Sequence, residues 1–240
     1  LLPGRSATLM DFCFSLTGIC AMSPALPDTE SFLAWAASDA PFPASSGRVS
    51  APLVPKMLSR RLLQGDLLAV SAMLSLGRLA GQPDAVVFAS MTGETERCVR
   101  MLRGIQESGE VSPAEFSGSV HNSPSGYYAM AGGCHASSSS VAGGADTVAA
   151  GLSECAGGIY GLGRRSVNVV FYENSLQGSL ANIPGSFHAP FAAALSLERG
   201  NSLSVPLELV RGRDAVSLLR LLMRKCPELM RSHMAGASDA

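Results

Sequence analysis

Apolar and polar positions along this chain switch repeatedly between a period of two and a period near 3.6, which predicts strands alternating with helices. The apolar run Phe12 to Cys20, interrupted only by Ser15, Thr17 and Gly18, reads as a first strand. Thr29 to Ala37 reads as a short helix, with Asp28 or Thr29 as N-cap and Phe32, Leu33 and Trp35 as apolar anchors. After a Pro/Ser/Gly-rich loop from Ala40 to Pro55, the segment Leu58 to Leu79 sets Leu62, Leu67, Leu68, Val70, Met73, Leu74 and Leu76 at near-helical spacing, wide enough for a buried helix. Ala85 to Ser90 is a buried strand, and Thr92 to Gln106 an amphipathic segment charged at Glu94, Glu96, Arg97, Arg100 and Arg103. Ser112-Pro113 opens another short helix, since proline suits the first turn. Cys134 to Gly151 reads as a helix of Ala, Gly, Val and Ser, and Val167 to Tyr172 as a strand. Phe191 to Leu197 and Ser202 to Val210 read as a closing pair of strands, after which Asp214 caps a helix through Arg224. This alternation argues for one α/β layered domain, and no period implies a solenoid.

Composition narrows the function classes. The 240 residues are 47% hydrophobic and 15% charged, enough to bury a substantial core. A net charge of -1, with arginines scattered or in short pairs such as Arg164-Arg165, offers no field for nucleic acid. Six cysteines lie far apart with no C-x-x-C pair, so neither a metal site nor a redox dithiol is indicated; reduced thiols in a cytoplasm fit best. Asp11 and the interruptions in Phe12 to Met22 argue against a signal peptide, and no run is long enough for a membrane span. Residues 1–9 precede Met10 without periodicity and are set apart as upstream residues; 10–230 is the expected domain and 231–240 a flexible tail.

Cys134 is the first candidate for chemistry. It follows Gly132-Gly133 and precedes the small-residue helix, an arrangement that suits a tight strand-to-helix turn where a helix N-terminus favours thiolate. A small, inert core cysteine is the competing reading.

The order and spacing of several motifs carry a resemblance. These are Pro55-Lys56-Met57-Leu58-Ser59-Arg60-Arg61-Leu62, Val87-Phe88-Ala89-Ser90-Met91-Thr92-Gly93-Glu94, Ser112-Pro113-Ala114-Glu115-Phe116, Ser119-Val120-His121-Asn122 and Gly151-Leu152-Ser153-Glu154. Together they resemble the N-terminal half of β-ketoacyl synthases and, more closely, the short ketosynthase-like chain-length factors of aryl polyene gene clusters. The resemblance implies a single thiolase-like lobe: a mixed sheet layered with helices around one buried central helix. Ketosynthases have a glycine seventeen residues after the nucleophilic cysteine, and Gly151 stands in that register to Cys134. Upstream the register slips by one residue, counting from Gly126, and Gly132-Gly133 replaces the usual Thr-Ala. The two histidines and the lysine of the family's C-terminal half have no counterpart: His121, His135, His188 and His233 all lie in other contexts.

The implied function is a partner subunit of a full-length ketosynthase, a heterodimer that shapes the acyl tunnel for a chain held on an acyl carrier protein, with little condensation activity of its own. Cys134 is then the nucleophile-position equivalent and dispensable. Ser119, His121, Asn122, Tyr127, Tyr128 and Met130 are expected at the tunnel or partner interface, and Arg60 and Arg61 at a contact with the acidic carrier. No cofactor or metal is implied. Two alternatives stay open: an autonomous cysteine acyltransferase or thioesterase using Cys134 with Asp214 and His233, and a carrier-binding adaptor without a tunnel role.

Overall fold

The computed structural model describes residues 11–44, 47, 49–176, 178–182 and 189–234. Residues 1–9 and His188, both assessed from sequence, lie outside this set. Five strands form one mixed sheet: β1 (Asp11–Met22), β2 (Ala85–Ala89), β3 (Ser137–Val141), β4 (Ser166–Glu173) and β5 (Phe191–Pro206). Their order is β1-β5-β4-β2-β3. β1 and β4 flank β5 antiparallel, whereas β2 runs parallel to both β4 and β3.

Side-chain alternation divides the core by face. Val87, Val169, Phe171, Ala193, Leu195 and Leu197 point to one side, where they meet α1 (Thr29–Ala36), α7 (Thr147–Ala156), α9 (Ala215–Lys225) and α10 (Pro227–Ser232). Val86, Phe88, Val170, Tyr172 and Ala194 point to the other, against α3 (Gln64–Ala80) and α6 (Ser123–Gly132). The period of two thus fills two layers from one sheet. Local signals set the helix ends: Asp28 accepts from the Ser31 amide and Asp214 from the Ser217 amide, each at 2.7 Å. α7 can touch the sheet because residue 151 is glycine; a Cβ there would lie 2.7 Å from the Phe171 ring and 3.2 Å from Ala89.

Three expectations need correction. The run read as a helix from Cys134 is a coil, then β3, then a turn, and the buried helix begins only at Thr147. The two closing strands are one, β5, whose long reach lets it pair along β1 and β4; residues Leu207–Val210 form the short helix α8. The long apolar segment splits into α2 (Lys56–Ser59) and α3. Of the expected tail, residues 235–240 lie outside the described residues; before them α10 ends at Ser232, the Ile19 amide donates to His233 O at 2.8 Å, and Met234 bridges Ile19. Two further helices, α4 (Thr95–Ser108) and α5 (Pro113–Ser117), lie between β2 and α6.

Candidate functional site

The carboxyl ends of parallel strands are where α/β folds place their ligands. Here β2, β3 and β4 end together. β2 leads into Ser90–Gly93, β4 ends in Glu173 and Asn174, and β3 leads through Ala142-Gly143-Gly144-Ala145-Asp146 into α7. Glu173 binds the loop after β2 with both oxygens. Oε1 accepts from the Met91 amide at 2.6 Å, and Oε2 accepts from the Thr92 amide, the Thr92 hydroxyl and the Ser90 hydroxyl at 3.1, 2.6 and 3.1 Å. Burial raises the Glu173 carboxyl above its ordinary range, and these donors oppose the shift. A cavity of about 90 Å³ opens beside this edge, with Ala89, Val148, Phe171 and Phe191 among its lining and Glu173 and Asp214 at its polar part.

The strand-to-helix turn expected at Cys134 lies instead at Ala142–Asp146. It carries neither thiol nor hydroxyl before Thr147, and that hydroxyl is engaged: it accepts from the Gly143 amide at 3.1 Å and donates to Gly144 O at 2.7 Å. Cys134 sits at the opposite kind of junction, helix to strand. Gly133, in the left-handed region at φ 59°, ends α6, and the Cys134 amide donates to Ala129 O at 3.2 Å. Cys134 is 7% exposed in the core layer of α3 and α6. Burial pushes two thiols up, Cys20 to about 11 and Cys155 higher still. The register match through Gly151 therefore misplaced the turn, because the extra length between helix and strand was invisible in a run of serines.

The remaining expected residues separate into core and surface. Tyr127 and Tyr128 are buried in this chain's own core, Tyr128 against Phe88 at 5.9 Å between ring centroids, so neither presents an aromatic face to a partner. Burial, with the Cys134 thiol beside it, raises the Tyr128 hydroxyl above its ordinary value. Met130, two residues on, is 64% exposed. It is one of several exposed large apolar side chains in this part of the chain, with Leu102 and Ile105 on α4, Phe116 on α5, and Val120. Ser119 is half-buried and its hydroxyl donates to Phe116 O at 2.8 Å, while Asn122 is exposed and caps α6 without a side-chain bond. His121 is a strut. Its Nε2 is 3.2 Å from Val141 O, at the end of β3, and its Nδ1 is where a Cβ on Gly93 would fall, at 2.3 Å. His121 thus braces the loop after β2 against the turn after β3. Arg60 and Arg61 are exposed near Lys56, with Met57 between them 76% exposed, and none of the three cations forms an ion pair among the described residues.

The sheet also separates the hydrolase-like trio. Cys134 packs in the layer of α3, whereas Asp214 caps α9 and His233 follows α10, both in the opposite layer. His233 Nδ1 lies 2.9 Å from both Leu229 O and Ser232 Oγ, and His135 is exposed. Sequence reasoning missed β3 as a structural edge. Its outer side has no strand partner among the described residues, and four of its five residues are serine.

Residues 32–225 match the family described as beta-ketoacyl synthase, N-terminal domain. Among solved structures, the chain resembles one from the ketosynthase ApeO in complex with its chain length factor ApeC from Xenorhabdus doucetiae, at 33% identity and TM-score 0.78, covering 89% of this chain and 92% of that one. The ishigamide ketosynthase/chain length factor matches at 19% identity and TM-score 0.61, covering 78% of this chain and 62% of its own. A type II acyl-carrier protein in complex with its ketosynthase, AntDE:AntF, matches at 14% identity and TM-score 0.62, covering 79% and 63%. These two share the fold, and this chain spans less than two thirds of their length. No curated protein matches the chain.

Proposed function

Because the chain belongs to the family of β-ketoacyl synthase N-terminal domains, we propose that it is a chain-length-factor-like partner subunit of a full-length ketosynthase, acting in polyene or polyketide elongation of the aryl polyene type. The observation that carries this reading is the strand-to-helix turn Ala142–Asp146. It has the backbone course that presents a nucleophile in such folds and no nucleophilic side chain to present. A subunit built this way contributes shape, and the partner contributes the condensing thiol and its histidines. The similarity to a chain from a ketosynthase and chain length factor pair, across 89% of this chain and 92% of that one, supports the same reading.

The partner surface in this proposal combines the edge of β3, unpaired among the described residues, with the apolar side chains Met130, Val120, Phe116 and Leu102. An open strand edge offers backbone donors and acceptors, and exposed apolar residues favour burial on association. The tunnel role moves from Tyr127 and Tyr128, which the core holds, to this surface. Lys56, Arg60 and Arg61 form the contact offered to an acidic carrier protein, within a segment, residues 40–65, that contains no Asp or Glu. That basic patch also favours the adaptor reading, which differs only in denying the chain a share of the tunnel.

Co-expression with the ketosynthase encoded beside it tests the proposal. A one-to-one complex by light scattering, lost with Met130→Asp or Leu102→Asp while the variants stay folded, is the expected result. Failure to associate at micromolar concentrations would overturn it.

A further inference from the structure

Where α3, α4 and the end of β4 meet, two buried carboxyl groups face one another. Asp66, in the first turn of α3, is 1% exposed and Glu94, just before α4, is 3% exposed. Asp66 is well supplied with donors: Oδ2 accepts from the Leu63 amide at 3.1 Å and Oδ1 from Asn174 Nδ2 at 2.8 Å. Glu94 is not. Its Oε2 accepts from Arg97 Nε at 3.0 Å, but its Oε1 is buried with no donor. An orphaned carboxylate oxygen in the interior is costly, whereas the same oxygen bearing a proton becomes a donor. The acceptor is at hand, because the Glu94 side chain is within hydrogen-bonding reach of Asp66.

Charge counting points the same way. Two carboxylates oppose one buried guanidinium, Arg97, which also donates to Arg61 O at 2.8 Å and lies 3.6 Å from Glu115 of α5. From β4 the cluster is faced by Glu173, a further acid, and by the Tyr172 hydroxyl, which is buried without a partner. His121 stands on the far side of Gly93. One proton brings the inner trio of Asp66, Glu94 and Arg97 to neutrality.

We propose that Asp66 and Glu94 share a single proton in the folded protein, with Glu94 Oε1 donating to Asp66, and that this bond latches the start of α4 onto α3. Asn174 extends the latch, since its Nδ2 also donates to Gly93 O at 3.2 Å and its Oδ1 accepts from the Gly65 amide at 2.7 Å. The latch stands independently of the proposed function, although α4 and α5 carry part of the apolar surface described above. Burial, and then the charge of Asp66, push the Glu94 carboxyl from its ordinary 4.5 up to about 8. The folded state therefore binds a proton that the unfolded chain releases. Its stabilisation is complete below about pH 4.5, declines as pH rises, and levels off above about pH 8.

Urea unfolding of the full chain between pH 5 and 9, compared with Glu94→Gln, tests this. The amide keeps a donor toward Asp66 and an acceptor toward Arg97 but cannot titrate. Expected is a wild-type unfolding constant that rises toward pH 8 more steeply than that of Glu94→Gln, the difference being up to about tenfold per pH unit. Infrared spectra at pH 7 should show a protonated-carboxyl band in the wild type that weakens in Glu94→Gln, a readout available even if only the wild type folds well. Identical pH slopes in the two proteins, or no protonated carboxyl in the wild type at pH 7, would overturn the shared proton.

Discussion

At the residue scale, the chemistry of this chain depends on which junction a side chain occupies. Cys134 has the sequence neighbours of a nucleophile but follows the cap of a helix, so its amide meets the Ala129 carbonyl and its thiol the Tyr128 hydroxyl and apolar packing. Cys134→Ala in the reconstituted complex should therefore change the condensation rate by less than about tenfold, far below the loss expected of a missing nucleophile. Tyr128 and Met130 should separate in the same way. Tyr128→Ala removes a buried ring packed on Phe88 and should destabilise the chain by about 3 to 5 kcal/mol in denaturant titrations. Met130→Asp should leave stability nearly unchanged and weaken association by about 1 kcal/mol or more, read from the dissociation constant with the ketosynthase.

At the element scale, the fit between α7 and the sheet depends on residue 151. Gly151→Val should cost about 1 to 3 kcal/mol or more, because the Phe171 ring and the Ala89 methyl occupy the space of the new side chain; a shift in the urea midpoint measures it. Most of the architecture was legible because its elements have periodic apolar faces. β2 and β4 read as continuous apolar strands, and α1 and α9 announced their starts through Asp28 and Asp214. β3 was not legible. Ser137–Ser140 has no hydrophobic period, and its strand conformation comes from parallel pairing with Ala85–Phe88, a tertiary contact that no local window contains. That one element displaced the predicted turn from Ala142–Asp146 to Cys134. The break between α2 and α3 was hidden for a related reason: Leu62 and Leu63 continue the apolar pattern through a turn.

At the scale of the whole molecule, a single lobe closes its core on both faces of the sheet, while among the described residues the outer edge of β3 has no strand partner and a group of large apolar side chains is exposed. No described helix is long and apolar enough to cross a membrane. In the proposed reading this lobe contributes shape and the ketosynthase contributes the nucleophile, because the turn Ala142–Asp146 carries neither thiol nor hydroxyl. The most direct test is intact-mass analysis of both subunits after the reconstituted complex is incubated with an acyl-loaded carrier protein. The acyl group should appear on the ketosynthase alone, with this chain unmodified. An acyl adduct on this chain, mapped to Cys134 and lost in Cys134→Ala, would contradict the account.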